Sequence, residues 1–221
     1  MNPTTHLEQD LDRIRNKIFK MLDLSIESVQ DSVSSLRSLN IRVAERIIDK
    51  DKSIDLLEKD IDDDCLKTIV TRQPAASDLR FLLAIMKINT DLERIADLSV
   101  TIARQTKKIE GQAFVKPLID IPHMADIIVE MLKDSLDAIT DKDSNKAQNV
   151  IKRDDILDNL NEQIYRELTT VMAENPRTIS QSICLMRVSK SLERMGDHVT
   201  NIAEQAVFYI EGHDIRHPNA Q

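Results

Sequence analysis

The chain has 221 residues, of which 31% are charged, 41% are hydrophobic and only 3% are aromatic. It contains three glycines and no tryptophan, which excludes glycine-rich nucleotide-binding folds and disfavours a β-sandwich or barrel. The formal net charge of −8 argues against direct nucleic-acid binding, which depends on basic surfaces. No apolar run approaches the ~20 residues that span a bilayer, and the first residues lack the pattern of a signal peptide. We therefore expect a cytoplasmic, all-α protein.

The first half of the chain has the apolar spacing of three long helices. Thr5 and Glu8 have the spacing of a capping box, and the helix that they open is expected to end near Asn40. The second helix is expected to end just before Pro74, because proline disfavours helical geometry in the preceding residue. The third helix then runs to Gly111, which is a plausible C-cap.

The second half repeats this pattern after a proline-containing connector. We expect one helix from Met124, a second running without a break from Asp143 to Asn175, and a third ending near Gly212. The predicted architecture is two tandem three-helix bundles. The first bundle, the connector and the second bundle are assigned to residues 5–111, 112–122 and 123–212.

An internal repeat is the strongest signal in the sequence. Residues 92–103 (LERIADLSVTIA) align with residues 192–203 (LERMGDHVTNIA) at an offset of 100, with six of twelve positions identical. Residues 51–61 align with residues 154–164 at an offset of 103. The repeat also matches four pairs of acids, which are Asp51 with Asp154, Asp55 with Asp158, Glu93 with Glu193, and Asp97 with Asp197.

The matched acids are expected to meet within each helical hairpin. Asp55 and Glu93 both lie 19 residues from Pro74, and Asp51 and Asp97 both lie 23 residues from it. The corresponding acids of the second half lie 17 to 22 residues from Pro176. Equal distance from the turn means equal height in antiparallel helices, so the sequence predicts two clusters of four carboxylates.

Clustered carboxylates repel one another and need a compensating charge. Oxygen ligands suit hard cations, so we expect divalent or trivalent metal ions, with Fe, Mn, Mg and Zn as candidates. The acids follow inward-facing residues, so both sites are expected on the outer side of the bundles. A salt-bridge network and a plain solvated face are the alternatives; Arg94 and Arg194 are expected to face the clusters only partly. The predicted ligands are Asp51, Asp55, Glu93 and Asp97 for one site, and Asp154, Asp158, Glu193, Asp197 and Asn201 for the other.

Other reactive side chains give weaker signals. Cys65 and Cys184 lack metal-binding spacing and are expected to be buried apolar residues. His198 is next to the second stripe of acids but is rotated away from it, so it is not among the predicted ligands. No nucleophile is evident beside the acids, and we expect a protein that is not an enzyme. A helical scaffold and a metal-dependent phosphohydrolase are the alternative functions.

Several segments together resemble the PhoU family of phosphate-signalling regulators. The matching segments are DKSID (residues 51–55), RQPAASDLR (72–80), IMKINTDLERIAD (85–97), RDDILD (153–158) and SLERMGDHVTNIAE (191–204). The resemblance extends from about residue 8 to residue 212 and includes the order of the repeats. One departure is Ala96, where the family motif has the glycine that the second half keeps as Gly196. The methyl group of Ala96 is expected to crowd the first site.

The resemblance implies a function as well as a fold. Members of that family are built as tandem three-helix bundles whose acidic motifs bind metal clusters at the surface. The resemblance implies a negative regulator of phosphate-starvation signalling that contacts a membrane histidine kinase and the ATPase of the phosphate ABC transporter. It also implies a homodimer that reaches the membrane only through these partners and does not bind nucleic acid.

Overall fold

The computed structural model describes residues 5–213, which form seven α-helices. The helices are α1 (His6–Ser38), α2 (Ile41–Arg72), α3 (Ala76–Lys108), α4 (Asp120–Asp141), α5 (Ser144–Ile151), α6 (Asp154–Glu174) and α7 (Ile179–Glu211). Helices α1–α3 form the first bundle and α4–α7 the second, which confirms the predicted all-α tandem architecture. None of the helices between residues 5 and 213 combines the length and the apolarity needed to cross a membrane.

Local capping interactions define the ends of α1 as the sequence predicts. The Thr5 hydroxyl accepts a hydrogen bond from the Glu8 amide at 3.2 Å, and the Glu8 carboxylate accepts one from the Thr5 amide at 2.6 Å. Leu39 ends the helix in the left-handed conformation, with φ of 50°. The Asn40 side chain then caps α2 by accepting a hydrogen bond from the Val43 amide at 3.3 Å.

Two predicted boundaries on either side of the connector are wrong. Ile109, not Gly111, is the C-cap of α3, and Gly111 adopts a φ of 72° in the turn that follows. Helix α4 begins at Asp120 instead of Met124. Pro122 therefore lies in the first turn of α4, where its missing N–H group is not needed for an intrahelical hydrogen bond.

The predicted unbroken helix from Asp143 to Asn175 is also wrong, because the chain turns at Lys152 and Arg153 between α5 and α6. No proline or glycine occurs at this break, so the sequence carries no local signal for it. The Arg153 guanidinium contacts the carboxylate of Asp134 on α4 at 2.5 Å, a tertiary contact at the turn. Helix α6 starts at Asp154, directly after this contact.

One continuous hydrophobic core passes through both bundles. Ile14 of α1, Leu92 of α3, Leu132 of α4 and Leu192 of α7 belong to it and have no exposed surface. The predicted burial of the two cysteines, Cys65 and Cys184, is confirmed. The bundles therefore share an interior.

Helices α3 and α7 make the most extensive helix–helix contact of the described chain. Near the middle of α3, Asp91 lies 2.8 Å from the ring nitrogen of His198. Near the start of α3, the ring centroid of Phe81 lies 5.4 Å from that of Tyr209. Residues near the start of α3 therefore contact residues near the end of α7, which means that the two helices are antiparallel. This packing places the repeated motifs of α3 and α7 side by side.

Candidate functional site

Helices α2 and α3 bring the four predicted acids of the first half together. Burial, and then the negative charges of Asp97 and Asp55, raise the pKa of Asp51. Burial, and then the charge of Asp97, raise the pKa of Glu93 to about 7, with Asp55 adding to the effect. Acids from both helices therefore act on one another, and we call Asp51, Asp55, Glu93 and Asp97 the first acidic cluster.

Glu93, one member of the first acidic cluster, is less exposed than expected. The Asp97 side chain is 44% exposed, but that of Glu93 is only 14% exposed, so the expected outer position of Glu93 is wrong. The Glu93 Oε2 atom is buried and accepts no hydrogen bond. The Arg94 Nε atom lies 3.4 Å from this oxygen, and another guanidinium nitrogen donates to Asp97 at 3.3 Å. Arg94 thus reaches the cluster more fully than predicted.

Glu58 is an additional acid beside this cluster that the sequence reasoning missed. Burial, and then the charge of Asp62, raise its pKa, while Arg94 lowers it and Asp55 raises it. Glu58 lies three residues after Asp55 on α2, and this spacing on one helix face was the signal that could have identified it.

Helices α6 and α7 bring the repeat-related acids together in the same way. Burial, and then the charges of Asp197, Asp158 and Glu193, raise the pKa of Asp154 to about 6. Burial, and then the charge of Glu193, raise the pKa of Asp197. We call these four residues the second acidic cluster.

Glu193 is almost fully buried in the second acidic cluster. Its Oε1 atom accepts a hydrogen bond from the Lys190 ammonium at 2.5 Å, and its Oε2 atom is buried without a hydrogen-bond partner. The hydrogen bond to Glu193 raises the pKa of Lys190, and the charges of Asp197 and Asp158 act in the same direction. Sequence reasoning missed Lys190, although its position three residues before Glu193 on one helix was visible.

Asn201 and His198 both contact the first bundle. The Asn201 Nδ2 atom donates to Asp91 Oδ1 at 3.4 Å, and the same oxygen lies 2.8 Å from the ring nitrogen of His198. No described contact joins Asn201 to the second acidic cluster. Its amide oxygen is the atom that could coordinate a metal, and its assignment as a ligand stays a prediction.

The two clusters differ in how closely their helices approach. A Cβ atom added to Gly196 would lie 2.4 Å from the buried side chain of Leu157 and 3.0 Å from the carboxylate of Asp154. The absence of a side chain on α7 therefore lets the start of α6 approach. Ala96, the repeat counterpart, is buried beside an unbroken α2. The glycine thus serves helix packing.

The donor chemistry of both clusters fits a hard cation. Carboxylate oxygens are the ligands that such ions prefer, and the buried Oε2 atoms of Glu93 and Glu193 lack the hydrogen bonds that buried oxygens normally have. Over residues 5–213, no three His, Cys, Asp or Glu side chains form a ready-made metal site. Arg94 and Lys190 contact carboxylate oxygens that a metal ion would also use, so they would compete with it. The metal ions and their ligands stay predictions.

The similarity to known proteins divides the chain in the same way as the two bundles. Residues 18–106 and residues 121–206 each match the model of the PhoU domain. The chain belongs to the PhoU domain family. The two matched ranges contain the two acidic clusters of this PhoU-domain protein, one in each range.

Relatives of this PhoU-domain protein match it over almost its whole length. A phosphate-specific transport system accessory protein PhoU homolog of Aquifex aeolicus is 36% identical over 211 residues, covering 96% of both chains. A protein of the same name from Pseudomonas putida is 34% identical over 220 residues, covering 97% of this chain and 86% of the relative. The crystal structure of PhoU from Pseudomonas aeruginosa superposes with a TM-score of 0.89 at 32% identity, covering 94% of this chain and 100% of the other.

Replacement of Gly196 by alanine should destabilise the protein. Alanine is normally the better helix former by about 1 kcal/mol, but its Cβ would collide with Leu157. Overpacking of this kind typically costs about 1–3 kcal/mol. We expect G196A to unfold at lower urea concentration than the wild type. Equal or greater stability would show that the close approach of α6 does not restrict this position.

The metal-free protein should lose stability as the pH rises through the titration of Glu93. The folded state binds this proton more tightly than the unfolded state, so the carboxyl favours folding below pH 4.5 and opposes it above about pH 7. In chelator, the stability of E93Q relative to the wild type should therefore be higher at pH 8 than at pH 5, as measured by urea unfolding. E130Q, at an exposed position of α4, is the control. An equal E93Q difference at both pH values would contradict the prediction.

Proposed function

We propose that this protein is a metal-binding adaptor of a phosphate transport system. The relatives named above are accessory proteins of the phosphate-specific transport system. The observation that carries the metal-binding part is the pair of repeat-related glutamates, Glu93 and Glu193, each with a buried Oε2 atom that accepts no hydrogen bond. A bound cation would supply the direct partner that these two oxygens lack.

The proposed metal ligands come from the two acidic clusters. They are Asp51, Asp55, Glu93 and Asp97 in the first bundle, and Asp154, Asp158, Glu193 and Asp197, with Asn201, in the second. A bound metal would neutralise carboxylates whose mutual repulsion opposes folding. The exposure of Asp97 leaves the first site open to solvent, so water or an anion such as phosphate could complete the coordination of the metal.

We propose further that the adaptor represses phosphate-starvation signalling when phosphate is abundant. Its partners would be a membrane histidine kinase and the ATPase of the phosphate ABC transporter, and it would act in the cytoplasm as a homodimer. The accessory role in the names of the relatives supports this reading over a phosphohydrolase. A helical scaffold without metal remains the competing proposal that experiment must separate.

Metal titration tests the proposed sites directly. The wild type should bind Mn²⁺ in calorimetric titration, and E193Q combined with D197N should lose the second site. At a metal concentration about 100 times Kd, each occupied site should stabilise the wild type by about 2.7 kcal/mol, seen as a higher melting temperature. K190M should bind more tightly, because it removes the ammonium that competes for Glu193.

The matched control is D126N combined with E130Q. These two acids are spaced four residues apart on the exposed face of α4, so the variant removes the same charge from an ordinary surface. It should bind Mn²⁺ like the wild type. Equal uptake by the wild type and the Glu193 and Asp197 variant would exclude the second site and favour the scaffold.

Affinity capture tests the proposed partners. Immobilised protein loaded with Mn²⁺ should retain the transporter ATPase and the histidine kinase from membranes of phosphate-replete cells, as identified by mass spectrometry. The E193Q and D197N variant should retain less of both, while the D126N and E130Q control should retain the same amount. Retention of neither partner by the wild type would contradict the adaptor proposal.

A further inference from the structure

An open groove of about 530 Å³ lies at the contact between the two bundles, and neither of the paired glutamates lines it. Helices α2, α3 and α7 all contribute polar side chains to it. The residues that matter here are Asp62 of α2, Lys87, Thr90 and Asp91 of α3, and Asn201 and Gln205 of α7. The groove therefore exists only because the two bundles pack together.

The groove offers hydrogen-bond acceptors. Gln205 is 2% exposed, and its Oε1 atom has no hydrogen-bond partner, although its side chain lines the groove. Asp62 Oδ1 accepts from Asn89 Nδ2 at 3.0 Å, and Asp91 Oδ1 accepts from Asn201 Nδ2 at 3.4 Å. In each of these two aspartates, the described contacts involve only the Oδ1 atom. A buried acceptor without a donor is costly, so a ligand that brings N–H groups would be stabilised here.

The lysine at this groove does not neutralise its carboxylates. The Lys87 ammonium lies 5.8 Å from the ring centroid of Phe208, over the aromatic face. No ion pair joins Lys87 to Asp62 or Asp91 among the described residues. The carboxylate of Asp62, and the Oδ2 atom of Asp91, whose Oδ1 atom lies 2.8 Å from the ring nitrogen of His198, therefore face a cation that enters the groove.

The internal repeat provides a comparison within the same molecule. At an offset of 100 in α3 and α7, and of 103 in α2 and α6, the other half lacks both carboxylates of the groove and has a lysine in place of Thr90, while Lys87 corresponds to Arg187. Tyr165 replaces Asp62, Ser191 replaces Asp91, and Lys190 replaces Thr90. The glutamine is retained as Gln105, which is also buried with an Oε1 atom that has no partner. The carboxylates thus belong to one groove alone, and the related position of the other half carries an additional cation.

We propose that this groove binds a small organic cation with several N–H donors, of the diamine or polyamine class. Ammonium groups would pair with Asp62 and Asp91, and an N–H group would satisfy Gln205. Two carboxylates on neighbouring helices suit a ligand with two separated charges better than a single small ion. Asn201 lines the groove and is also a proposed metal ligand, but the proposal uses neither of the two glutamates and does not depend on metal binding.

Titration with spermidine in excess MgCl₂ tests the proposal, because the magnesium occupies any metal-binding carboxylates. The wild type should bind spermidine in calorimetric titration. D62N should bind about tenfold more weakly, as expected for the loss of one charge-assisted hydrogen bond. T90K introduces a lysine at this exposed position, as the other half has with Lys190. The added positive charge should reduce spermidine binding more than tenfold.

The control is D137N, which removes one exposed negative charge from α4, away from the groove. It should bind spermidine with the affinity of the wild type. Equal weakening by D137N and D62N would mean that the acidic chain attracts polyamines generally and would overturn the proposal. Unchanged affinity in a folded T90K, verified by its melting temperature, would also overturn it, as would the absence of binding to the wild type.

Discussion

The antiparallel packing of α3 against α7 is the constraint on which the rest of this structure depends. It joins the two helical bundles through one hydrophobic core, with Leu92 and Leu192 fully buried. Glu93 and Glu193 directly follow these leucines in the sequence and are largely buried beside them. The carboxylates therefore lose hydration, and burial is the largest cause of the raised pKa of Glu93. The raised pKa of Glu93 is therefore a consequence of the core packing.

Charge compensation differs between two clusters that the repeat makes similar. Arg94 lies along the rim of the first cluster and reaches both Glu93 and Asp97. Lys190 bonds directly to Glu193 in the second, at a position where the first half has Thr90. Asp154 lies in the first turn of α6, where the helix dipole favours negative charge, yet its pKa is raised. Burial and four neighbouring acids outweigh the dipole there.

Divergence between the repeats also determines what the bundle interface can bind. The backbone of α3 and α7 is repeated, so equivalent residues occur on both sides of the crossing. On one side of the crossing, the carboxylate of Asp91 contacts His198 and Asn201. On the other side, the residues equivalent to these three are Ser191, Leu98 and Thr101, in that order. A duplicated scaffold thus supports a pair of similar acidic clusters together with a groove whose charge is particular to one side.

The sequence by itself determined the all-α class, the tandem bundles, the capping box at Thr5 and the heights at which the acids meet. Those features follow from periodicity and from counting residues to a turn, which are local properties of the chain. Only the tertiary structure decided the break before Asp154, the burial of Glu193 and the contact of Lys190 with it. No proline or glycine marks this break in the sequence, and it coincides with the contact between Arg153 and Asp134 of another helix. Burial and charge pairing depend on which helices pack together, and local spacing does not contain that information.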